Sequence, residues 1–262
     1  MTQDRQYRHE LKYKISYPDY LAMRSRLRPV MKADPHASAG GRYLVRSIYF
    51  DNLNDKALRE KIDGVAKREK FRIRYYNDDL SYIVLEKKMK IGRRCLKYSA
   101  PITEEECRKI LNGGRISVTN GGRGSKLDGG SGFVTDGGRG SVMSGDLAFM
   151  KEHPKELVRE LYAKMTYQQL RPRVLVSYTR EPFIYPAGNV RVTFDSDIRT
   201  SLFRREFLTG EAAGISATDE PQDIYLEVKF DAFLPEVVQD LIQVKGIRQH
   251  AFSKYSASRR YG

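Results

Sequence analysis

Charged and apolar residues alternate with a period of two in short segments along both halves of this chain. In residues 7–15, Arg8, Glu10, Lys12 and Lys14 alternate with aromatic and aliphatic residues. The same alternation recurs in residues 71–76, 82–90, 190–195 and 224–229. Because successive side chains of a β-strand point to opposite faces, this period predicts strands.

Further strands are predicted over residues 43–50, 93–100 and 173–183, which brings the total to eight. Helices are fewer. They are predicted over residues 18–28, after a capping box of Thr103 and Glu106, over 147–165 with an interruption near Pro154, and over 235–244. This order predicts a mainly β (α+β) fold, an antiparallel barrel or sandwich decorated by a few helices. A doubly wound parallel sheet is disfavoured because its strands would be continuous apolar runs.

Residues 112–143 differ sharply in composition from the rest of the chain and hold 11 of its 21 glycines. Four octapeptide units follow one another there, beginning at Asn112, Asn120, Asp128 and Asp136. Asn-Gly and Asp-Gly pairs favour tight turns, and so much glycine is costly to order. We therefore predict a flexible insertion within a single domain spanning residues 1–262. An Arg-Gly-rich RNA-binding segment is an alternative, but three arginines in 32 residues are few for one.

The net charge indicates a polyanionic partner. The chain has 47 Lys and Arg against 33 Asp and Glu, a formal charge of +14. Nucleic acid, an anionic membrane surface, and a nucleotide or phosphate chain all remain open at this point. No segment has the roughly 18 apolar residues of a membrane helix, nor does the N-terminus resemble a signal peptide, so we expect a cytoplasmic protein. Cys95 and Cys107 are expected to be buried, reduced thiols.

The charged faces of the predicted strands share a pattern. A carboxylate lies two residues from a lysine in three of them: Glu10 and Lys12, Glu86 and Lys88, Glu227 and Lys229. Any one such face could simply contact water, but five strands with charged faces favour convergence on a common interior. Removing an unpaired ion from water costs roughly several kcal/mol. An interior lined by these charges must therefore hold water and an anionic ligand. Linked phosphates suit Arg and Lys, and the glutamates would then hold a divalent cation.

Eight short motifs resemble those of a known family. They are ELKY at 10–13, SIYFD at 47–51, FRIRY at 71–75, LEKK at 85–88, SYTR at 177–180, VRVTFD at 190–195, LEVK at 226–229 and FSKY at 252–255. Their order resembles that of the VTC domain, the polyphosphate polymerase domain of vacuolar transporter chaperone proteins and their bacterial relatives, within the triphosphate tunnel enzymes. The resemblance covers nearly all of the chain outside the octapeptide insertion.

The resemblance implies an eight-stranded antiparallel β-barrel tunnel that makes inorganic polyphosphate from ATP with Mn²⁺ or Mg²⁺. It assigns the phosphate cradle to Lys12, Arg72, Arg74, Lys88, Arg180 and Arg191, the metal to Glu227, and a contact near the reacting phosphates to Lys254. Lys90, Lys97 and Lys229 would lie beside them and bind substrate. Glu10 and Glu86 would either share the metal or pair with lysines. Arg180 alternates with Val176 and Tyr178, so we expect it to need a β-bulge to reach the interior.

Two alternatives stay open. A triphosphatase of the same fold would need a carboxylate, Glu10 or Glu86, to activate water. A polymerase needs no such base, because the end of a growing phosphate chain attacks as an anion. A non-enzymatic polyphosphate- or polyanion-binding module would bind without turnover. Specific nucleic-acid binding is disfavoured because aromatic residues do not alternate with the arginines on the basic faces. Since proteins that resemble this one often work beside membrane proteins, a membrane-protein partner at the inner face of a membrane is a further expectation.

Overall fold

Eight long strands form the body of the protein. The computed structural model describes residues 8–34, 37–38, 40–92, 94–113, 145–201, 207–210, 214–244, 246, 249 and 252–260. The long strands are β1 (His9–Ile15), β3 (Tyr43–Asp51), β4 (Lys67–Tyr76), β5 (Asp79–Ile91), β6 (Arg94–Ile102), β7 (Arg171–Tyr185), β8 (Val190–Ser201) and β10 (Ile224–Phe230). Two short strands, β2 (Lys32–Ala33) and β9 (Ile215–Ser216), pair with β7 and β8. All eight strands predicted from the sequence are confirmed.

The strands form one antiparallel sheet in the order β1-β10-β8-β7-β3-β4-β5-β6. A distance of 3.1 Å between Lys88 Nζ on β5 and Glu10 Oε2 on β1 shows that the sheet is strongly curled. In a flat sheet, six strand spacings would hold these strands about 29 Å apart. Side chains from distant strands therefore meet across the concave face.

The predicted closed barrel is not found in this sheet. Among the described residues, β1 and β6 share no backbone pairing, and they are the two ends of the strand order. Tyr13 on β1 pairs instead with Gln249, from the segment that precedes the last helix. Because Gln249 occupies part of the edge of β1, side chains rather than a continuous backbone ladder connect β1 with β5 across the concave face in the described residues.

Six α-helices lie among the described residues. They are α1 (Tyr17–Leu27), α2 (Lys56–Ile62), α3 (Glu104–Asn112), α4 (Glu156–Tyr167), α5 (Glu236–Ile242) and α6 (Lys254–Ser258). One core joins β3 to β6 with α3 and α4, and another joins β1, β8 and β10 with α1 and α5. The predicted capping box of Thr103 and Glu106 is confirmed. None of the helices in the described ranges is long and apolar enough to cross a membrane.

Some local predictions need correction. The segment predicted as helix from residue 147 is a 3₁₀ helix over Gly145–Met150, and α4 begins only after Pro154. The short helices α2 and α6 were missed. Cys107 is buried as expected, whereas Cys95 is half-buried. The octapeptide units lie outside the described residues, apart from Asn112 at the end of α3 and Gly113 after it.

A third core lies inside the curl and includes residues of α6. It consists mainly of tyrosine and valine side chains: Tyr43, Val45, Tyr49, Val174, Val176, Tyr178, Ile198, Ala217, Tyr225 and Tyr255. Tyr255 of α6 donates a hydrogen bond to Asp51, which also accepts from the backbone N–H groups of Ala57 and Leu58 in α2. The interior is therefore part apolar, and α2 and α6 are fastened together beside its charged part.

Candidate functional site

Three clusters of charged side chains, each centred on carboxylates, line the interior. The first surrounds Glu227 on β10, whose carboxylate lies 2.9 Å from Lys229, 3.6 Å from Lys12 and 3.2 Å from Arg180. Glu10 joins this cluster through Lys12 at 3.3 Å and through Lys88. Four strands thus contribute to one site, as the alternation of their charged faces predicts.

Glu227 and Lys12 of the first cluster each stabilise the ionised form of the other. Burial would raise the pKa of Glu227, but Lys229 and Lys12 lower it well below its usual value. Burial would lower the pKa of Lys12, but Glu227 and Glu10 raise it above its usual value. Lys229 differs, because burial outweighs Glu227 and lowers its pKa to about 8. At neutral pH Glu227 is therefore ionised, and Lys229 is more easily deprotonated than Lys12.

The second cluster surrounds Asp195, a fully buried residue of β8 that sequence reasoning missed as a site residue. Arg180 donates two hydrogen bonds to its carboxylate, at 2.6 and 2.7 Å, and Lys254 of α6 contacts the same group. Burial would raise the pKa of Asp195, yet Arg180 and Lys254 lower it. Asp195 alternates with Arg191 in VRVTFD, and that pattern could have revealed its position on the inner face.

Arg180 reaches the interior without a bulge between it and Val176 on β7. Val176 and Tyr178 also face inward, so the alternation that was expected to exclude Arg180 places it correctly. The irregularity in this pair of strands lies on β8, where Asp197 has a φ of +47°. Arg180 joins the first two clusters because its guanidinium contacts both Asp195 and Glu227.

The third cluster surrounds Glu86 on β5. Its carboxylate lies 2.8 Å from Arg72, 2.7 Å from Arg74 and 2.6 Å from Lys97. Burial would raise the pKa of Glu86, but Arg72 and Arg74 lower it to about 2. Arg72 also donates a hydrogen bond to the hydroxyl of Tyr49 at 3.1 Å. Glu86 therefore holds a pair of arginines side by side.

The remaining predicted residues, Arg191 and Lys90, lie outside the three carboxylate clusters. Arg191 on β8 pairs with Asp34 and donates a hydrogen bond to the hydroxyl of Tyr43 at 2.8 Å. Lys90 lies half-buried on β5, opposite Arg68 of β4. Lys70, which alternates with Arg72 and Arg74, was not predicted, although the same period places it on the inner face.

The carboxylates fit only part of the predicted metal site. In the described part of the chain, no group of three or more His, Cys, Asp or Glu side chains could hold a metal ion. Glu10 and Glu227 lie together, both within reach of Lys12. This pair suits Mg²⁺, which is commonly held by one or two carboxylates together with the phosphates of its substrate. Glu86 contacts three cations instead and lies outside that pair.

The curled antiparallel sheet thus carries inward-facing lysines and arginines from distant strands. A family model of the VTC domain matches residues 7–261. The chain belongs to the VTC domain family, and the resemblance read from its eight motifs is confirmed. No curated protein matches the sequence.

The chain is similar to two solved structures. A Hippeastrum protein, described as a candidate adenylyl cyclase with a dominant triphosphatase activity, is 12% identical with a TM-score of 0.52. The match covers 97% of this chain and 96% of that chain. A candidate adenylate cyclase from Bacillus halodurans is 14% identical with a TM-score of 0.48, and the match covers 92% of this chain and 88% of the other. At 12% identity, the likeness to the Hippeastrum protein is one of fold alone.

Proposed function

We propose that the protein is a metal-dependent polyphosphate polymerase that transfers the γ-phosphoryl group of ATP to the end of a growing inorganic polyphosphate chain. The observation that carries this proposal is the convergence of basic side chains from seven strands and α6 on a few carboxylates. Those side chains are Lys12, Arg72, Arg74, Lys88, Lys97, Arg180, Arg191, Lys229 and Lys254. Membership of the VTC domain family supports the same chemistry.

The cations would hold phosphate oxygens that displace the carboxylates from part of their contacts. Arg180 and Arg72 present planar forks to phosphate oxygens, and Lys12 keeps its charge because its pKa is raised by Glu227 and Glu10. A loose transition state spreads negative charge over the transferred group, so positioning and charge neutralisation are the main demands. The attacking chain end is itself an anion, and the polymerase therefore requires no general base.

Glu227 and Glu10 would hold the divalent cation, Mn²⁺ or Mg²⁺. A cation bound there would supply positive charge that neutralises the negative charge of the phosphates. Glu86 is better suited to orient Arg72 and Arg74, since its carboxylate already contacts both guanidinium groups. Lys254 on α6 would approach the reacting phosphates from beside Asp195.

A triphosphatase is the second candidate. Glu10 favours it, because its side chain is 21% exposed and could accept a proton from water when Glu227 holds the metal. The Hippeastrum protein, described as having a dominant triphosphatase activity, is consistent with this chemistry on the same fold.

The product distinguishes the candidates. Incubation with ATP and a titration of Mn²⁺ or Mg²⁺ is expected to yield phosphate chains that separate on a gel. Orthophosphate as the sole product would reject the polymerase and support the triphosphatase. Binding of polyphosphate without any turnover would leave the non-enzymatic polyanion-binding module. A cytoplasmic location and a membrane-protein partner belong to this proposal, and neither is needed for the assay.

A further inference from the structure

Asp51, the last residue of β3, has a buried carboxylate that accepts four hydrogen bonds. Its Oδ1 accepts from the backbone N–H groups of Asn52 and Ala57, both at 2.9 Å. Its Oδ2 accepts from the backbone N–H of Leu58 at 3.2 Å and from the hydroxyl of Tyr255. Because three of the four donors belong to the backbone between β3 and α2, the carboxylate cannot turn without breaking those bonds. It is therefore a fixed acceptor for Tyr255.

Tyr255 is the neighbour of Lys254 in α6, and the two side chains leave the helix in different directions. The buried ring of Tyr255 lies 5.3 Å from the ring of Tyr49, in the core inside the curl. The ammonium group of Lys254 contacts Asp195 and lies 4.5 Å from the centre of the Tyr178 ring. Adjacent residues of a helix are separated by only about 1.5 Å along its axis. A displacement of Tyr255 therefore moves Lys254 with it.

The helix α6 is too short to keep this position by itself. It has five residues, whereas isolated helices shorter than about 12 residues are marginal in water. Arg259, four residues after Tyr255, donates a hydrogen bond to Asp55 at 2.8 Å. Since residues four apart share one face of a helix, Tyr255 and Arg259 hold the same face of α6. That face is bound to two aspartates at the start of α2, while Lys254 is directed towards β8.

The hydrogen bond from Tyr255 to Asp51 is retained at neutral and mildly basic pH. Burial, this hydrogen bond and the charge of Asp51 raise the pKa of Tyr255 above its usual value. The hydroxyl therefore stays protonated and remains a donor. A carboxylate accepts at both oxygens, so Asp51 binds the N–H groups of α2 and the Tyr255 hydroxyl together.

We propose that Asp51 and Tyr255 are positioning residues, which hold α6 so that the ammonium group of Lys254 reaches the reacting phosphates. This inference rests on the proposed function, which places Lys254 beside those phosphates. Asp51 and Tyr255 act through Lys254 and do not themselves touch the substrate. A misplacement of about 1 Å can reduce the rate of a reaction about 100-fold. The hydrogen bond therefore affects the chemical step more than the binding of ATP.

Tyr255→Phe tests this role because it removes one hydroxyl group and keeps the ring in the core. We expect kcat for ATP consumption to fall about 10-fold, with KM for ATP within about 2-fold of the wild type. Tyr75→Phe is the matched control. Tyr75 is also buried, and its hydroxyl donates to the backbone carbonyl of Phe207 in the core beneath α3 and α4. The control loses an equivalent hydrogen bond, so a similar change in thermal unfolding is expected with kcat unchanged.

A double-mutant cycle separates positioning from a purely structural role. If Tyr255 acts through Lys254, Tyr255→Phe should lower kcat about 10-fold in the wild type but less than about 2-fold when Lys254→Ala is already present. An equal loss in both backgrounds, or no loss in the wild type, would overturn the inference. Asp51→Asn is a second variant, because an amide accepts at one oxygen only, and the same dependence on Lys254 is expected of it. If thermal unfolding shows that Asp51→Asn does not fold, Tyr255→Phe decides alone.

The product formed in the same reactions tests the proposed function separately. Orthophosphate as the sole product would reject the polymerase, whereas the cycle on the rate of ATP consumption would still decide the positioning role. If the wild type consumed no ATP, calorimetric titration with inorganic tripolyphosphate would replace the rate in the same cycle. A loss of affinity in Tyr255→Phe that disappears when Lys254→Ala is present would then support the inference. An equal loss in both backgrounds, or none, would overturn it.

Discussion

Glu86→Gln is expected to destabilise the protein by releasing the cations that Glu86 holds together. The substitution keeps the size of the side chain but removes its charge, while Arg72, Arg74 and Lys97 remain within hydrogen-bonding distance of the new amide. Only 3% of the Glu86 side chain is exposed, so water cannot replace the lost carboxylate at this position. The three cations would then repel one another with no anion between them.

The pKa of Glu86 gives the size of this effect. Arg72 and Arg74 overcome the effect of burial and lower that pKa from 4.5 to about 2. At about 1.4 kcal/mol for each pKa unit, this corresponds to about 3 kcal/mol of folding stability at neutral pH. Removal of one partner from a buried ion pair costs about 3–5 kcal/mol, and the partial exposure of Lys97 and Arg72 favours the lower end.

The sign of the pH dependence follows from the lowered pKa. The stabilisation is complete above 4.5, where the carboxyl group is ionised in the unfolded chain as well, and it is lost as the pH falls towards 2. Urea unfolding followed by circular dichroism should therefore show a deficit of about 3 kcal/mol for Glu86→Gln at neutral pH, which shrinks in acid. Tripolyphosphate should stabilise this variant more than the wild type, since its oxygens can replace the carboxylate.

Glu105→Gln is the control for this experiment. Glu105 forms an exposed ion pair with Lys109 on α3, so its loss should cost less than about 1 kcal/mol. The reasoning would be refuted if Glu86→Gln unfolded within about 0.5 kcal/mol of the wild type, well below the cost expected for a broken buried pair. A deficit that stayed constant from neutral to acidic pH would refute it equally.

Further outcomes test other parts of the site. Lys12→Ala and Arg74→Ala should each abolish turnover of ATP without changing the far-ultraviolet circular dichroism spectrum. Arg108→Ala, at an exposed ion pair of α3, is the control and should leave turnover intact. Full activity of either interior variant would contradict its assignment. Burial and the charges of Lys88 and Lys12 lower the pKa of Lys70, on the inner face of β4, to about 7. Long-chain polyphosphate should therefore bind more weakly as the pH rises above about 7, because Lys70 must then take up a proton on binding, and Lys70→Gln should flatten this profile. The charged and titratable groups around Lys70 are Lys12, Lys61, Arg68, Lys88 and Tyr255. An identical pH profile for the wild type and Lys70→Gln would contradict this linkage. Deletion of residues 114–144 should leave turnover unchanged, and its loss would show that the octapeptide units contribute to activity.

Most of the fold could be predicted because each strand carries its own signal. Alternation of charged and apolar residues is a local property, and in β10 it separates Glu227 and Lys229 from the apolar face that packs under α1 and α5. Short helices such as α6 have no comparable signal, since five residues offer too little periodicity. Their position depends on distant contacts such as the hydrogen bond from Tyr255 to Asp51.

The partners within the site could be predicted less well. Glu86 and Glu227 look alike in sequence, each two residues before a lysine. The resemblance assigned Glu227 to the metal and left Glu86 open between the metal and a pair with lysines. In the structure one contacts Arg72, Arg74 and Lys97, and the other lies beside Glu10. Alternation shows which face a side chain is on, but the identity of its neighbours depends on strand order and curl.

The amino-acid sequence alone therefore determined the strands, their charged faces and the family, because these are written in nearest-neighbour spacing and in short motifs. Only the tertiary structure decided which charges meet: Lys88 with Glu10 from the far side of the sheet, Arg180 between Asp195 and Glu227, and Lys70 with no acidic partner in the described ranges. The physical reason is that electrostatic interaction depends on separation in space and on burial. Both are set by the curl of the whole sheet rather than by the spacing of residues along a strand.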